Sequence, residues 1–179
     1  MEEKYRSYQG WMAAVIRAIA IIIPILSLIY VFDIPRIYLN ILVYPSQYNA
    51  LFLALVLLLV FLLVPAGKNS SRTKVPWYDV LLIILSLSGC LYILVEFPTL
   101  YRLQGIDATT IEQVLFVTTL VVLSEAIRRT LGWPLLIIGY IFLLHAKFAY
   151  LLPGLLGGPT YNISDLASYI YLYQWGFFG

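Results

Sequence analysis

Residues 124–154, SEAIRRTLGWPLLIIGYIFLLHAKFAYLLPG, contain two apolar runs joined by a short charged corner. The residues that form the corner are, in order, Glu125, Arg128, Arg129, Gly132, Trp133 and Pro134. Glycine just past one helix and proline in the first turn of the next are typical of a turn between two helices. The arginines suit a helix C-terminus, and the glutamate three and four residues earlier is within side-chain reach of them. The stretch therefore predicts a hairpin of two apolar helices.

The composition places this hairpin in a membrane protein. The 179 residues are 62% hydrophobic and 11% charged, with a mean hydropathy of +0.91, whereas soluble domains are about half apolar and a quarter charged. The sequence has a single cysteine, Cys90, so no disulfide framework is predicted. It has a single histidine, His145, and no cluster of cysteines, so no metal site is predicted. A net charge of +2 does not indicate a nucleic-acid partner, and no cofactor is expected.

Five apolar runs approach the roughly 20 residues that a helix needs to span a membrane. They cover about 11–32, 48–66, 78–97, 111–131 and 133–153. We therefore predict an all-α integral membrane protein with about five transmembrane helices and a short helix or loop at the interface between the first two. The predicted organisation is one membrane domain, 1–179, made of a four-helix scaffold (about 11–131), a connecting helix (133–153) and a surface helix (164–175).

The surface helix is predicted from periodicity near the C-terminus. Leu166, Tyr169, Ile170 and Tyr173 recur at helical spacing on one face. Tyrosine and tryptophan favour the headgroup level of a bilayer. We therefore expect an amphipathic helix that lies flat on the outer membrane surface.

Basic residues beside the spans predict the orientation, because such residues are retained in the cytoplasm. One side has eight: Lys4, Arg6, Arg17, Lys68, Arg72, Lys74, Arg128 and Arg129. The other side has only two, Arg36 and Arg102. This imbalance predicts a cytoplasmic N-terminus and, after five crossings, a periplasmic C-terminus.

Polar residues near the span ends are candidates for structural roles, and no catalytic, substrate-binding or metal residue is predicted. Asp79, in the first turn of the third span, either satisfies free N–H groups there or forms a salt bridge to Arg128 and Arg129, and the two roles are compatible. Glu125 is expected to pair with the same arginines.

His145 and Lys147 are the unusual residues of the fifth span, roughly 18 and 21 Å from its start at 1.5 Å per residue. A lysine at this depth either extends along its stem toward water or contacts a carboxylate of a partner helix. The histidine faces a similar choice. In the third span, Ser86, Ser88 and Gly89 favour close helix packing over a solute site.

The order of motifs from the second span onward resembles one transporter family. The pieces are FLLVPAGKNS, PWYD, YRLQGIDATTIEQ, SEAIRRTLGW, FLLHAKFAYLLPGLLGG and YLYQWGFFG. Together they cover about residues 48–179 and are similar to the N-terminal part of the fused membrane protein of tripartite ATP-independent periplasmic (TRAP) transporters, of the TAXI type.

The resemblance implies a small membrane subunit that braces a large elevator-type transport subunit in a bacterial or archaeal inner membrane. Transport would be symport, driven by a sodium or proton gradient coupled in the large subunit. A periplasmic TAXI-type binding protein would deliver the solute, commonly an organic acid or acidic amino acid. The fused proteins continue beyond the GFFG-like motif into the transport domain. The resemblance therefore implies either a separately encoded subunit or a fragment of a fusion, and without the transport domain the chain is expected not to move solute alone.

Two other classes of function remain open. An integral membrane enzyme would need reactive polar groups in one cleft, and only His145 with Lys147 or Glu96 could supply them. A self-contained channel or carrier would need polar positions near the middle of the membrane, and the middles of the spans contain few.

Overall fold

The computed structural model describes residues 5–67, 70–72, 74–102, 107–173 and 175–179, and within these ranges the fold is all helical, without strands. The helices are α1 (Trp11–Val31), α2 (Ile34–Leu39), α3 (Pro45–Leu63), α4 (Trp77–Arg102), α5 (Thr110–Thr130), α6 (Trp133–Phe148) and α7 (Ile163–Ala167). Short 3₁₀ turns extend α6, and a π-helical turn, Ser168–Leu172, continues α7. Helices α1, α3, α4, α5 and α6 lie in segments long and apolar enough to cross a membrane. The five predicted spans are confirmed as helices of this kind.

The corner between α5 and α6 has the predicted turn. Helix α5 ends at Thr130, and α6 begins at Trp133 with Pro134 in its first turn. Gly132 between them has a φ of 89°, which a glycine adopts without steric cost, and its N–H donates to Ile127 O at 3.1 Å. The glycine thus frees the chain to reverse direction, as the sequence predicts.

The centre of the bundle is formed by α3, α4 and α5, which contribute most of the buried apolar side chains. Helices α4 and α5 approach closely at Gly89, where an added Cβ would lie 2.2 Å from Thr119 Oγ1. This contact confirms the predicted packing role for Gly89, whereas Ser88 is exposed. Ser86 is buried and donates its hydroxyl to Ile83 O within its own helix at 2.8 Å.

Helices α1 and α6 lie at the edges of the bundle, and neither has a buried residue. Helix α1 packs mainly against α3, where the rings of Tyr30 and Tyr48 stack with centroids 4.0 Å apart. Tyr48 also donates its hydroxyl to Ser27 Oγ at 2.8 Å. Both edge helices therefore present broad apolar faces away from the protein.

The C-terminal segment does not form the predicted surface helix. We call residues 161–179 the tail. Its α7 and π-helical turn pack against α5 and α4, and Tyr171 and Phe178 are at most 1% exposed. Tyr171 donates its hydroxyl to Gly89 O at 2.8 Å, deep within α4. Tyr169, predicted on the apolar face, is 55% exposed.

The difference has a packing cause. Ala167, Tyr171 and Leu172 fill a space between protein helices, which buries apolar area and gives the phenol a hydrogen-bond partner. The tail then reverses at Gly176, where a Cβ would lie 1.9 Å from Ile170 O. Periodicity could indicate a helix here but not whether lipid or protein covers its face.

Candidate functional site

A group of charged residues ties one end of the bundle together, where α3 and α5 end and α4 begins. Its members are Arg6, Asp79, Glu125, Arg128 and Arg129, and we call them the charged cluster. They come from the segment before α1, the first turn of α4 and the last turns of α5. We call this end of the bundle the Asp79 end. Residues far apart in sequence therefore meet at one point of the fold.

Asp79 lies between two arginines at the centre of the charged cluster. Arg6 Nη2 is 2.5 Å from Asp79 Oδ2, and Arg129 Nη2 is 2.7 Å from Asp79 Oδ1. The three side chains are 0–1% exposed. Since a buried charge without a partner is strongly unfavourable, the carboxylate and the two guanidiniums require one another. The salt bridge predicted between the third and fourth spans is confirmed for Arg129.

Glu125 extends the charged cluster along α5. Its carboxylate is 2.7 Å from Arg129 Nε and 2.7 Å from Arg128 Nε, and it accepts a second bond from Arg128 Nη2 at 2.8 Å. These pairs are the ones that the spacing predicts. Glu125 and Arg128 are about a quarter exposed, so this part of the charged cluster reaches the surface.

The arginines also donate to carbonyls at the end of α3. Arg6 Nη1 donates to Phe61 O at 2.8 Å and to Leu62 O at 3.2 Å, and the Arg6 backbone N–H donates to Leu63 O at 2.8 Å. Beyond the helix, Arg129 Nη1 donates to Val64 O at 3.2 Å. The last carbonyls of a helix have no partner within it and carry partial negative charge. The arginines therefore cap α3 while they pair with Asp79.

Tyr8 adds a neutral donor beside the charged cluster. Its hydroxyl donates to Leu62 O at 2.8 Å. Burial raises the pKa of the Tyr8 phenol, although the nearby Arg6 charge acts in the opposite direction. The phenol thus keeps its proton and its hydrogen bond over the physiological pH range.

The opposite end of the bundle contains a buried carboxylate held by neutral donors. We call it the Glu112 end. Glu112, 5% exposed, accepts hydrogen bonds from Tyr92 OH at 2.8 Å and from the N–H and hydroxyl of Thr109, both at 2.7 Å. Thr109 in turn caps the start of α5. The Ala108 N–H next to it donates to Ser168 Oγ at 3.0 Å, which fastens the tail to this end.

His145 and Lys147 lie far from the charged cluster. His145 is exposed, with its Nε2 3.2 Å from Leu156 O. Lys147 is partly exposed and has no carboxylate of the described residues within ion-pair distance. The structure therefore brings together four of the six predicted residues, Asp79, Glu125, Arg128 and Arg129, and leaves these two apart.

Arg6 and the tail residue Tyr171 are the important positions that the sequence did not indicate. Arg6 resembles any basic residue that flanks a first span, and Tyr171 is one of fifteen tyrosines. Glu112 three residues after Thr109 is a recognisable capping box, but Tyr92, its other partner, is twenty residues away on another helix. Only the fold shows these partners.

The chemistry of the charged cluster is structural. Arginine stays protonated in proteins, so it cannot act as a general base, and both carboxylates are engaged by cations. Among the described residues, no group of three or more His, Cys, Asp or Glu side chains could hold a metal ion. No protein-family model, curated protein or solved structure matches the chain.

Proposed function

We propose that this chain is the scaffold subunit of a TRAP-type secondary transporter. In this proposal it lies in the cell membrane with its Asp79 end toward the cytoplasm. It braces a large elevator-type transport subunit during ion-gradient-driven uptake of organic acids or acidic amino acids. The solute reaches the partner from a periplasmic binding protein. The class of partner and solute comes from the resemblance of residues 48–179 to the TAXI type.

The observation that carries the proposal is the use of charge at the Asp79 end. The ion pairs of Asp79 with Arg6 and Arg129 join the N-terminal segment, α4 and α5. The same two arginines donate hydrogen bonds to carbonyls at the end of α3. Buried charges with this arrangement hold a fixed frame and offer nothing to a passing solute. A domain that moves across a membrane needs a neighbour that does not move, and a frame fastened in this way suits that role.

The edge helices supply the surface for a partner. No residue of α1 or α6 is buried by the rest of the chain. Such faces can pack on another membrane subunit or on lipid, because both environments accept apolar side chains. The proposal assigns part of this surface to the large subunit and the remainder to membrane lipids.

The test is co-expression of the tagged chain with a large multi-span permease encoded beside its gene. We expect a stable complex after detergent extraction and purification, and ion-dependent solute uptake only when both are reconstituted and the periplasmic binding protein is added. The control replaces the tagged chain with an unrelated five-span protein. Recovery of the chain without any large permease, from cells that make both, would contradict the proposal.

Two further measurements separate the alternatives. Uptake of solute by liposomes that contain this chain alone would favour the self-contained channel or carrier. Substitution of His145 and Lys147 by alanine tests the enzyme alternative, since these are the reactive groups that it needs. Full activity of the assembled system with both substitutions would eliminate the enzyme.

A further inference from the structure

A groove of about 300 Å³ opens between α5 and α6. Apolar side chains and one glycine line most of it, chiefly Leu120, Leu123, Ile127, Leu135, Gly139 and Leu143. The volume is at the lower end of the range for small-molecule sites in proteins. Its lining offers a ligand almost exclusively hydrocarbon contacts.

The two hydroxyl groups in the groove satisfy each other. Ser124 Oγ donates to Leu120 O at 2.7 Å, and Tyr140 OH lies 2.8 Å from Ser124 Oγ. Because the serine proton is used within α5, the tyrosine is the donor of the pair. Both hydroxyl groups therefore already have hydrogen-bond partners, so the occupant need not supply a polar group. This favours a plain hydrocarbon chain.

An arginine, Arg128, lies near one end of the groove, where its Nε and Nη2 pair with Glu125. Arg128 lies one helical turn after Ser124, on the same side of α5, and is 27% exposed. Its Cζ lies 6.0 Å from the ring centroid of Trp133, at the start of α6. The charged cluster to which Arg128 belongs has three guanidiniums and two carboxylates, an excess of one positive charge. Arginine and tryptophan at a helix end are typical of the headgroup level of a membrane.

We propose that this groove binds an anionic phospholipid, with one acyl chain between α5 and α6 and the phosphate at Arg128. The apolar lining fits the chain, and the excess positive charge complements the phosphate. The proposal does not depend on the transporter role.

The test measures lipid retention by native mass spectrometry of the full chain in detergent. The probes are phosphatidylglycerol and phosphatidylcholine with identical acyl chains. We expect wild-type protein to retain phosphatidylglycerol in preference to phosphatidylcholine. Gly139→Leu should bind both lipids about tenfold more weakly, because the new side chain occupies space that apolar lipid groups would otherwise fill. A Cβ at position 139 meets no atom within 4 Å, so a side chain can be introduced there without a clash at its first atom.

Matched variants isolate the two parts of the site. Ala20→Leu adds the same kind of side chain to an exposed position of α1 and should change neither affinity. Arg128→Gln should weaken phosphatidylglycerol binding about fivefold and phosphatidylcholine binding less, because the choline cation already offsets the phosphate of the second lipid. Arg17→Gln, at an exposed arginine outside the charged cluster, should have little effect. If Arg128→Gln does not fold, Gly139→Leu and the comparison of the two lipids still decide the proposal.

Three outcomes would overturn the proposal. They are equal retention of the two lipids by wild-type protein, unchanged retention by Gly139→Leu, and cross-linking to protein instead of lipid from a photoreactive residue in place of Leu143 in native membranes. The last outcome would assign the groove to a protein partner or to a second copy of this chain.

Discussion

The two ends of the bundle meet the same physical demand with opposite chemistry. At the Asp79 end, α3 and α5 finish, and arginines supply donors to the carbonyls at the end of α3. At the Glu112 end the same two helices begin, and their first N–H groups need acceptors. There Glu112 accepts from Thr109, and Gln47 accepts from the Tyr44 N–H. The direction of a helix thus decides which sign of charge is useful at each end.

The ends differ in how they depend on charge. The Asp79 end holds opposite charges that need one another, whereas Glu112 is held by neutral hydroxyl and N–H groups. The tail adds aromatic packing on the Glu112 side, with Phe116 and Phe177 stacked at 6.0 Å. Substitutions at the Asp79 end should therefore lower the free energy of unfolding more than comparable substitutions at the Glu112 end.

The largest effect is expected at Asp79. Asp79→Asn leaves Arg6 and Arg129 buried without their shared counter-charge, and we expect the free energy of unfolding to fall by about 3–5 kcal/mol. Thermal unfolding in detergent measures this loss. The control is Asp33→Asn, which removes an exposed carboxylate 3.8 Å from Arg36 and should cost less than about 0.5 kcal/mol. Equal effects of the two substitutions would show that burial of the pair is unimportant.

A smaller effect is expected where the tail reverses. Gly176→Ala places a methyl group against the backbone oxygen of Ile170, so the turn must open, at a cost of about 2–3 kcal/mol. The single cysteine, Cys90, is buried in the same core as Tyr171, and loosening of the tail should expose it. The measurement is the rate at which a membrane-permeant maleimide labels Cys90.

The matched control for the tail is Gly67→Ala, since a Cβ at position 67 meets no atom within 4 Å. In this variant the maleimide should label Cys90 at the wild-type rate. If Gly176→Ala also labels at the wild-type rate, the tail is not what shields Cys90.

The smallest effect is expected at Glu112. Glu112→Ala removes the acceptor for Thr109 and Tyr92, and we expect a loss of about 1–2 kcal/mol, the usual range for a helix cap with a buried partner. Asp165→Ala removes the equivalent carboxylate from the exposed cap of α7 and should cost about 0.5 kcal/mol or less. Thermal unfolding compares the two. A loss at Glu112 as large as that at Asp79 would remove the proposed contrast between the ends.

The local sequence was sufficient to predict those structural features whose interacting residues lie close together in the chain. The five long helices, the turn at Gly132 and the pairing of Glu125 with Arg128 and Arg129 all follow from residues within a few positions of each other. Hydrophobic length and capping are local properties, so a single sequence reports them. The pairing of Asp79 with Arg129 was also predicted, because both were assigned to the same end of the bundle.

Long-range packing decided the rest. Nothing local distinguishes Arg6 from other basic residues beside a span. In the fold, three carbonyls at the end of α3, the Ser71 carbonyl of the following loop and Asp79 of α4 surround it and bury it. Likewise, an amphipathic tail satisfies its apolar face equally well on lipid or in a protein groove. Gly89, where α4 and α5 approach closely, offers its carbonyl to the Tyr171 hydroxyl, and this buried partner settled the choice. Sequence determined the elements and their polarity, and the tertiary structure determined which surfaces they cover, because burial depends on neighbours that are remote in the chain.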